Sequence, residues 1–429
     1  MRVGIVGGGA AGALVAINLL RNATKKTQVI VFEPSLEIGR GVPYGTADPA
    51  HLLNVRAANM SGFVDRPSHF AEWYASRKGI SVAEAGPIFA PRCEYGAYIG
   101  EILAEAVFNA PDRFRVVQER ASSVEVSEVL TIRTSSNTPV DVDELVLATG
   151  HLGPQSLPEL ANFEHNDRYV RNPWSSKDLD TLEPQDTILL LGTGLTMVDL
   201  VISLALRGHQ GLIIARSRRG LLPRPHRVGH GMPLDLATLG DRHPIKPIIQ
   251  ALRSAGDDWR LVMDGLRPHT QALWEKLSWE DRRRFIEKLR PFWDVHRHRI
   301  PESTHDLIGS LVELGRLDIG QGRIDSVTST ESGFNITTQG ANFHVNRIIN
   351  CTGPNLKVAK AKIPILESVV SQGLASYDPL GLGLIVDSDG RTAPQGHVWA
   401  LGPLCRGSRW ETTAIPEIRT QAARIADLL

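Results

Sequence analysis

Apolar residues open the chain as a short run, VGIV at 3–6, which breaks into three glycines and resumes as AAGALVAINLL from Ala10 to Leu20. A brief apolar run bounded by glycine reads as a buried strand, and the longer one predicts a helix from about Ala10 to Leu20. A further strand pattern, VIVFEP at 29–34, follows at the distance a βαβ unit requires. That third element argues against a signal peptide after Arg2, the other reading of an N-terminal apolar stretch. The arrangement recurs at 188–199, ILLLGTGLTMVD, with a following strand LIIARS at 212–217. Each copy then passes through alternating, hairpin-like sequence (FRVVQERASSVEVSEVLTIRTSS, then RLDIGQGRIDSVTSTESGFNITTQ) to an apolar strand closed by Thr149-Gly150 or Thr352-Gly353. Self-similarity over so long a period predicts duplicated architecture. The expected fold is α/β: two Rossmann-like dinucleotide-binding domains with a helical insertion.

The glycines carry the chemistry. Gly7, Gly9 and Gly12 satisfy G-x-G-x-x-G, where the first permits a tight turn, the second lets a pyrophosphate approach the backbone, and the third lets helix and strand pack closely. The helix after them offers unpaired N–H groups and a positive dipole end to the phosphate. Contacts are expected from Ala10 and Ala11 in its first turn. Glu33, followed by Pro34, ends the second strand where a carboxylate accepts hydrogen bonds from ribose hydroxyls. The second loop keeps Gly192 and Gly194, followed by Thr196, and carries Met197 in place of the third glycine. The acidic residue is missing there, and ARSRRG supplies Arg216, Ser217, Arg218 and Arg219 instead. Guanidinium groups bind a 2′-phosphate that a carboxylate would repel. The first site is therefore expected to take a nucleotide with a free ribose and the second NADPH. Solvated loop charges are the other reading of the arginines.

Length and composition narrow the class. With 429 residues the chain predicts two or three domains. The formal net charge of zero gives no global field toward nucleic acid. Cys93, Cys351 and Cys405 are scattered, with no CxxC and no metal spacing, which suits a reducing compartment. No apolar run reaches the ~18 residues of a membrane span, and a cytoplasmic location is expected.

Two further regions stand out. Residues 221–300 have no counterpart in the first copy and carry Trp259, Trp274, Trp279 and Trp293 with helical spacing. They are locally basic through Arg282–Arg284 and HRHR at 296–299. A cap over a substrate cleft, a helical subdomain with a tryptophan core, a nucleic-acid patch, and a metal set from His296, His298 and His305 are the open readings. Near the C-terminus, HVWALGPL predicts a strand ending at Gly402, and TTAIPEIRTQAARIADLL a terminal helix. Thr412 or Thr413 is the expected cap and Pro416 suits the first turn.

The order VGIVGGGAAG, VFEPS, VLATG, LLLGTG, ARSRRG, CTG resembles the two-dinucleotide-domain flavoproteins, among them flavin-containing and Baeyer–Villiger monooxygenases and N-hydroxylases. The segments GRGVPYGTADPAHLLNVRAANMSGF, RCEYGAYI, SRRGLLPRPH, LRPFWDVHRHR and GPLCRGSRWETTAIPEIRTQA are similar to a family of bacterial FAD/NAD(P)-binding proteins that includes a proposed FAD-dependent urate hydroxylase. The resemblance implies FAD at the first loop and NADPH at the second. An FAD domain would be built from 1–153 and 350–429, around an NADPH domain at 154–349.

On that basis Arg40, Gly41 and Tyr44 would line the flavin. His51, Asn54 and Arg56 could hydrogen-bond its ring, with Asn54 closest. Val124, Gly402, Thr413 and Ile415 would add contacts, and the terminal helix would aim its positive end at the ring. Arg92 and Tyr95 could hold an anionic substrate and Trp410 could stack on it. Structural roles are open for all three, such as Arg92 pairing with Glu94 or Glu101. Without a redox cysteine pair, electrons from NADPH must leave through oxygen or an external acceptor. The expected activity is monooxygenation of a small nitrogen-containing or aromatic molecule through a C4a-hydroperoxyflavin. A reductase or oxidase serving a partner, quinone or oxygen, and a flavin-binding interaction protein, are the alternatives.

Overall fold

The computed structural model describes residues 1–22, 24–174, 179, 181–227, 245–338, 340–393 and 396–429. Strand β1 (Arg2–Val6) leads through the glycines into α1 (Ala10–Arg21) and then β2 (Gln28–Phe32). Nearly every residue of α1 is buried. A helix apolar on all sides must be covered on all sides. The sheet covers one flank, and α2 (Arg92–Phe108) and the terminal helix α4 (Ile415–Leu428) cover the others.

The first unit continues with β3 (Phe114–Val117), an antiparallel meander of β4 (Ala121–Val126), β5 (Leu130–Thr134) and β6 (Pro139–Val142), and then β7 (Glu144–Leu147). The second repeats that order. It runs β9 (Ile188–Leu191), helix α3 (Leu195–Leu206), β10 (Ile213–Ser217) and β11 (Leu317–Gln321). A meander of β12 (Ile324–Ser329), β13 (Phe334–Thr338) and β14 (Ala341–Val345) leads to β15 (Arg347–Asn350). Both sheets are parallel, ordered β3-β2-β1-β7-β16 and β11-β10-β9-β15-β8. Four of five positions match between the copies. The fifth differs in origin: β16 (Val398–Ala400) returns from the C-terminal segment, whereas β8 (Tyr169–Val170) precedes its own unit. Strand β15 lies in the second sheet, so Asn350 belongs with that sheet.

The connections between the sheets run side by side. Pro154 and Pro354 form an antiparallel bridge. The Asn355 N–H donates to the Gly153 carbonyl at 3.0 Å, and Asn350 Nδ2 donates to the Gln155 carbonyl at 3.0 Å.

The insertion is helical over its described part, including Ile245–Ser254, Trp259–Leu266, Thr270–Glu275, Trp279–Arg284 and Arg290–Arg297. Residues 228–244 of the expected insertion lie outside the described residues. Trp274 and Leu277 form a small core with Trp410 of the C-terminal segment. Among the described residues no helix is long and apolar enough to cross a membrane.

The strand-to-helix turns make opposite demands at neighbouring glycines. Gly192 has φ +118°, and a Cβ there would stand 2.4 Å from the Cys351 carbonyl oxygen. A Cβ on Gly194 would meet nothing within 4 Å. Gly192→Ala is expected to cost about 1–3 kcal/mol in urea unfolding. Gly194→Ala should cost about 1 kcal/mol or less. Equal losses would contradict the assignment of strain to Gly192.

Candidate functional site

Parallel strands deliver their C-terminal ends to one edge, which brings together Gly7–Gly9, Glu33, Thr149-Gly150 and Gly402. Gly7 has φ +106° and a Cβ would lie 2.4 Å from the Ala148 carbonyl oxygen. A Cβ on Gly12 would lie 2.0 Å from the Gly7 oxygen, so only glycine lets α1 sit this close to β1. No side chain caps α1 at Gly9, and no acidic residue occupies its first turn. Its leading N–H groups and dipole therefore face a groove of bare backbone. The opposite wall is Gly41, whose Cα would lie 3.5 Å from a Cβ on Gly9. The Gly39 N–H donates to the Gly8 oxygen at 2.7 Å and fixes that wall. Glu33 stands beside the turn, one carboxylate oxygen accepting from the Gly8 N–H at 2.8 Å and the other from the Ser35 N–H at 3.0 Å.

The second turn repeats the geometry, since Gly192 meets the Cys351 carbonyl as Gly7 meets that of Ala148. No side chain caps α3 at Gly194, and its first turn has no acidic residue. Met197 is fully buried where the first copy has Gly12, so this turn accommodates a side chain between helix and strand. The Gly7 N–H donates to Phe32 and the Gly192 N–H to Arg216, which aligns the two strand ends. By that alignment Ser217 occupies the position of Glu33, and Arg218 that of Pro34. The Ser217 hydroxyl lies 2.9 Å from Thr193 Oγ1 and accepts from the Gly220 N–H at 3.0 Å. Arg218 and Arg219 are exposed. Arg216 departs from expectation: its guanidinium is neutralised by the Asp318 carboxylate and also donates to the Asp318 carbonyl at 2.9 Å.

A polar network joins the copies. Arg92, at the start of α2, lies 2.9 Å from Asp199 on α3 and donates to the Leu52 carbonyl at 3.0 Å. Its partner is thus Asp199 and neither Glu94 nor Glu101. Glu94 instead meets Lys78 and Arg77, and Glu101 meets Arg77 and Trp73. His51 is buried, with Nε2 2.8 Å from Ser203 Oγ and Nδ1 2.7 Å from Thr46 Oγ1. Ser203 donates to Asp48 at 2.6 Å. Burial pushes the Asp199 carboxyl up from the usual carboxylate range and holds the His51 imidazole down.

Several expected contacts stand elsewhere. Tyr95 is fully buried against Tyr44, Phe70 and Tyr98, beyond reach of a substrate in an open cleft. Trp410 already stacks on Trp274 at 4.9 Å and meets Phe285 edge-on, so a protein ring fills the place expected for a substrate. The Val124 N–H and carbonyl are both taken by the Ser368 hydroxyl. Val117, whose carbonyl accepts from the Glu33 N–H at 3.0 Å, is the residue beside the first-site carboxylate. Arg56 donates to the Pro87 carbonyl at 2.9 Å, and Arg40 pairs with Glu37 at 3.1 Å. Asn54 accepts from the His226 ring through its carbonyl at 3.1 Å and forms no side-chain hydrogen bond to the described residues.

At the C-terminal segment, β16 leads directly to Gly402, which has φ +67° and lies next to the Thr412 carbonyl. Neither Thr412 nor Thr413 caps α4, because the capping position falls on Ala414 and no side chain bonds there. Thr412 Oγ1 is buried without a partner, as is Thr149 Oγ1. One of these orphaned hydroxyls follows β7 and the other belongs to the segment before α4 whose carbonyl lies beside Gly402, and each lacks its hydrogen-bonding partner among the described residues. His151 lies within the electrostatic reach of Arg406 and His298, and the sequence did not single these residues out together. The signal available was position: His151 and Arg406 each follow a strand-closing glycine. Among the described residues, no three His, Cys, Asp or Glu residues are grouped to hold a metal.

Residues 4–152 match the family model described as FAD-NAD(P)-binding. No curated protein sequence matches the chain. The chain is similar in structure to the reduced form of the ornithine hydroxylase of Pseudomonas aeruginosa, at 13% identity and a TM-score of 0.69 over 100% of this chain and 98% of that one. It is similar to the ornithine N-hydroxylase of Kutzneria sp. 744, solved with reduced FAD, NADP+ and L-ornithine, at 12% identity and TM-score 0.66, covering 100% and 98%. The bacillithiol disulfide reductase of Staphylococcus aureus matches at 14% identity and TM-score 0.61, covering 100% and 97%. The fold is that of the two-dinucleotide-domain flavoproteins, and its N-terminal unit is of the FAD-NAD(P)-binding kind.

Removing Arg92 leaves a buried, unpaired carboxylate. Arg92→Ala is expected to cost about 3–5 kcal/mol at neutral pH. The raised Asp199 pKa means the native state holds a proton more readily than the unfolded chain does. Without Arg92 that pKa rises further, so the penalty opens as the pH climbs above the native pKa and recedes in acid, where the carboxyl is protonated in both proteins. Urea unfolding at pH 7.5 and pH 5 should thus give a smaller deficit in acid, and a deficit independent of pH would contradict the role assigned to Asp199.

Proposed function

We propose that the chain is an FAD-dependent, NADPH-consuming monooxygenase acting on a small, nitrogen-containing or aromatic substrate. The observation that carries this reading is the pair of uncapped, acid-free helix N-termini, one beside a carboxylate and the other beside a serine and two exposed arginines. A pyrophosphate fits both. FAD, with free ribose hydroxyls, suits Glu33; NADPH, with its 2′-phosphate, suits Ser217, Arg218 and Arg219. Residues 1–153 with the C-terminal segment after Asn350 would form the FAD domain, and the residues between them the NADPH domain.

FAD held at the first turn would supply the redox chemistry, hydride acceptance from NADPH and electron transfer to dioxygen, so that one oxygen atom would enter the substrate and the other leave as water. The chain's own residues bind, orient and shield. Gly7 to Gly12 and Gly41 give the pyrophosphate a backbone-lined slot. The Thr149 and Thr412 hydroxyls and the Asn54 carboxamide are available to the ring and its surroundings. The N-terminus of α4, which no side chain caps at Ala414, would favour negative charge beside it by about 0.3–1 kcal/mol. The insertion, packed on Trp410, screens the cleft from water.

Cysteine chemistry supports oxygen over a disulfide as the electron acceptor. All three cysteines are free. Burial pushes the Cys351 thiol far up and that of Cys405 up to about 12, so neither offers a thiolate at neutral pH. The likeness of several segments to the family with a proposed urate hydroxylase favours a nitrogen heterocycle as the oxidised ring.

Aerobic NADPH consumption, measured with hydroxylated product and hydrogen peroxide, tests the reading. Consumption matched by product is expected. Substrate-independent consumption matched by peroxide makes the protein an oxidase. The arginines give a separate test: Arg218→Gln with Arg219→Gln should raise the KM for NADPH about tenfold or more and leave that for NADH nearly unchanged. Arg216→Gln should do much less, because Asp318 already neutralises it. Equal effects on the two nucleotides would end the 2′-phosphate assignment.

A further inference from the structure

The segment that lines the first glycine turn also grips the helix of the second. Gly41, opposite Gly9, begins the short helix Gly41–Tyr44, and the chain leaves it through Thr46, Asp48 and His51. There it meets Ser203 on α3, and the four residues close a ring of hydrogen bonds. The Asp48 N–H donates to Thr46 Oγ1 at 3.2 Å, and Thr46 Oγ1 lies 2.7 Å from His51 Nδ1. His51 Nε2 lies 2.8 Å from Ser203 Oγ, and the Ser203 hydroxyl donates to the Asp48 carboxylate at 2.6 Å.

The direction of each bond follows from the groups present. Burial works against the Asp48 carboxylate, but the hydrogen bonds from Ser203 and the Ala50 N–H outweigh it and hold its pKa below the usual carboxylate range. The Ser203 proton is committed to that carboxylate, so the Ser203 oxygen accepts from His51 Nε2. Burial keeps the imidazole neutral, which leaves Nδ1 without a proton to accept from Thr46. Thr46, Asp48 and His51 belong to the first unit and Ser203 to the second. His51 and Ser203 are buried, so sliding α3 away would leave a donor and an acceptor unmade and out of water.

A second grip lies one turn nearer the start of α3. Asp199, on the same helix face as Ser203, lies 2.9 Å from Arg92. Arg92 is tied to the same loop, its backbone N–H donating to the His51 carbonyl at 2.8 Å and its Nε to the Leu52 carbonyl at 3.0 Å. Two attachments one turn apart fix both the position of α3 along its axis and its direction. Ser203 stands roughly 12 Å along α3 from its first residue, Leu195, clear of the turn assigned to the second nucleotide.

We propose that Asp48, His51 and Ser203 are positioning residues for hydride transfer, the passage of a proton with two electrons from NADPH to FAD that leaves NADP+. Their ring sets α3, and the NADPH held at its N-terminus, at the distance and angle from the first site that the transfer requires. The inference rests on the reading of the two turns as FAD and NADPH sites. The ring governs the rate of the hydride step and not the affinity for NADPH, because Ser203 lies away from the N–H groups that hold the phosphates. A misplacement of about 1 Å is enough to slow such a step by up to about a hundredfold.

The test compares holoprotein carrying Ser203→Ala, Asp48→Ala or both with the wild type. Anaerobic stopped-flow reduction by NADPH gives the limiting rate, and calorimetric titration gives the Kd for NADP+. Each single variant should lower the limiting rate about tenfold or more while Kd changes less than about twofold. The double variant should lose about as much as one single variant, because the ring opens only once. Hydrogen exchange adds a readout independent of turnover: amides of 46–53 and of α3 should exchange about tenfold or more faster in each variant, with or without flavin bound. An unchanged rate, a Kd that rises as far as the rate falls, losses that multiply in the double variant, or unchanged exchange at both segments overturns the proposal. Wild-type protein whose flavin NADPH does not reduce ends the underlying reading, whereas equally fast reduction in wild type and variants ends this inference alone.

Discussion

The architecture depends on a single close approach, made twice. At the end of the first strand of each unit a glycine with positive φ lies against the carbonyl that precedes the Thr-Gly strand end, with no room for a Cβ. That contact turns the chain sharply enough to aim the next helix's N-terminus at the edge of the sheet. It also keeps the edge free of side chains, so the unpaired N–H groups of α1 and α3 meet an open groove. The remaining elements hold these two turns in place. The meanders return the chain beside β1 and β9, and the C-terminal segment closes the first sheet with β16 and buries α1 beneath α4.

The two copies diverge in ways that suit different ligands. Glycine at position 12 lets α1 sit close to β1, whereas the second copy buries the Met197 side chain at the corresponding place. Glu33 gives way to Ser217, which exchanges a carboxylate for a hydroxyl within the same hydrogen-bond frame. Helix α3 additionally meets the first unit through Asp199 and Ser203, so the helix that receives the second nucleotide is anchored by Arg92 and His51 of the first. Charge across this junction is balanced by protein groups.

What the sequence revealed follows from how local each constraint is. Glycine turns, the strands around them and the Thr-Gly ends were legible because the requirement sits within a few residues. Strand β8 has two residues and no pattern of its own; it is defined by the register of β15. The partner of Arg92 was missed for the opposite reason: Glu94 and Glu101 are near it in sequence, while Asp199 is distant in sequence and close only once the units dock. Trp410 was legible as an aromatic in a functional segment, but the sequence could not say that Trp274 would cover it. The terminal helix was legible, and its cap was not, because Pro416 shifts the first turn so that Ala414 takes the capping place. The pairing of Val124 with Ser368 likewise depends on a helix far along the chain.

Calorimetric titration of FAD into flavin-stripped protein, then of NADP+ into the reconstituted protein, tests the duplicated grip most directly. One site per chain is expected for each nucleotide. Gly9→Val should abolish FAD binding alone, and Gly194→Val, where the fold leaves open space, NADP+ binding alone. A single site shared by both nucleotides, or either substitution removing both, would contradict the account.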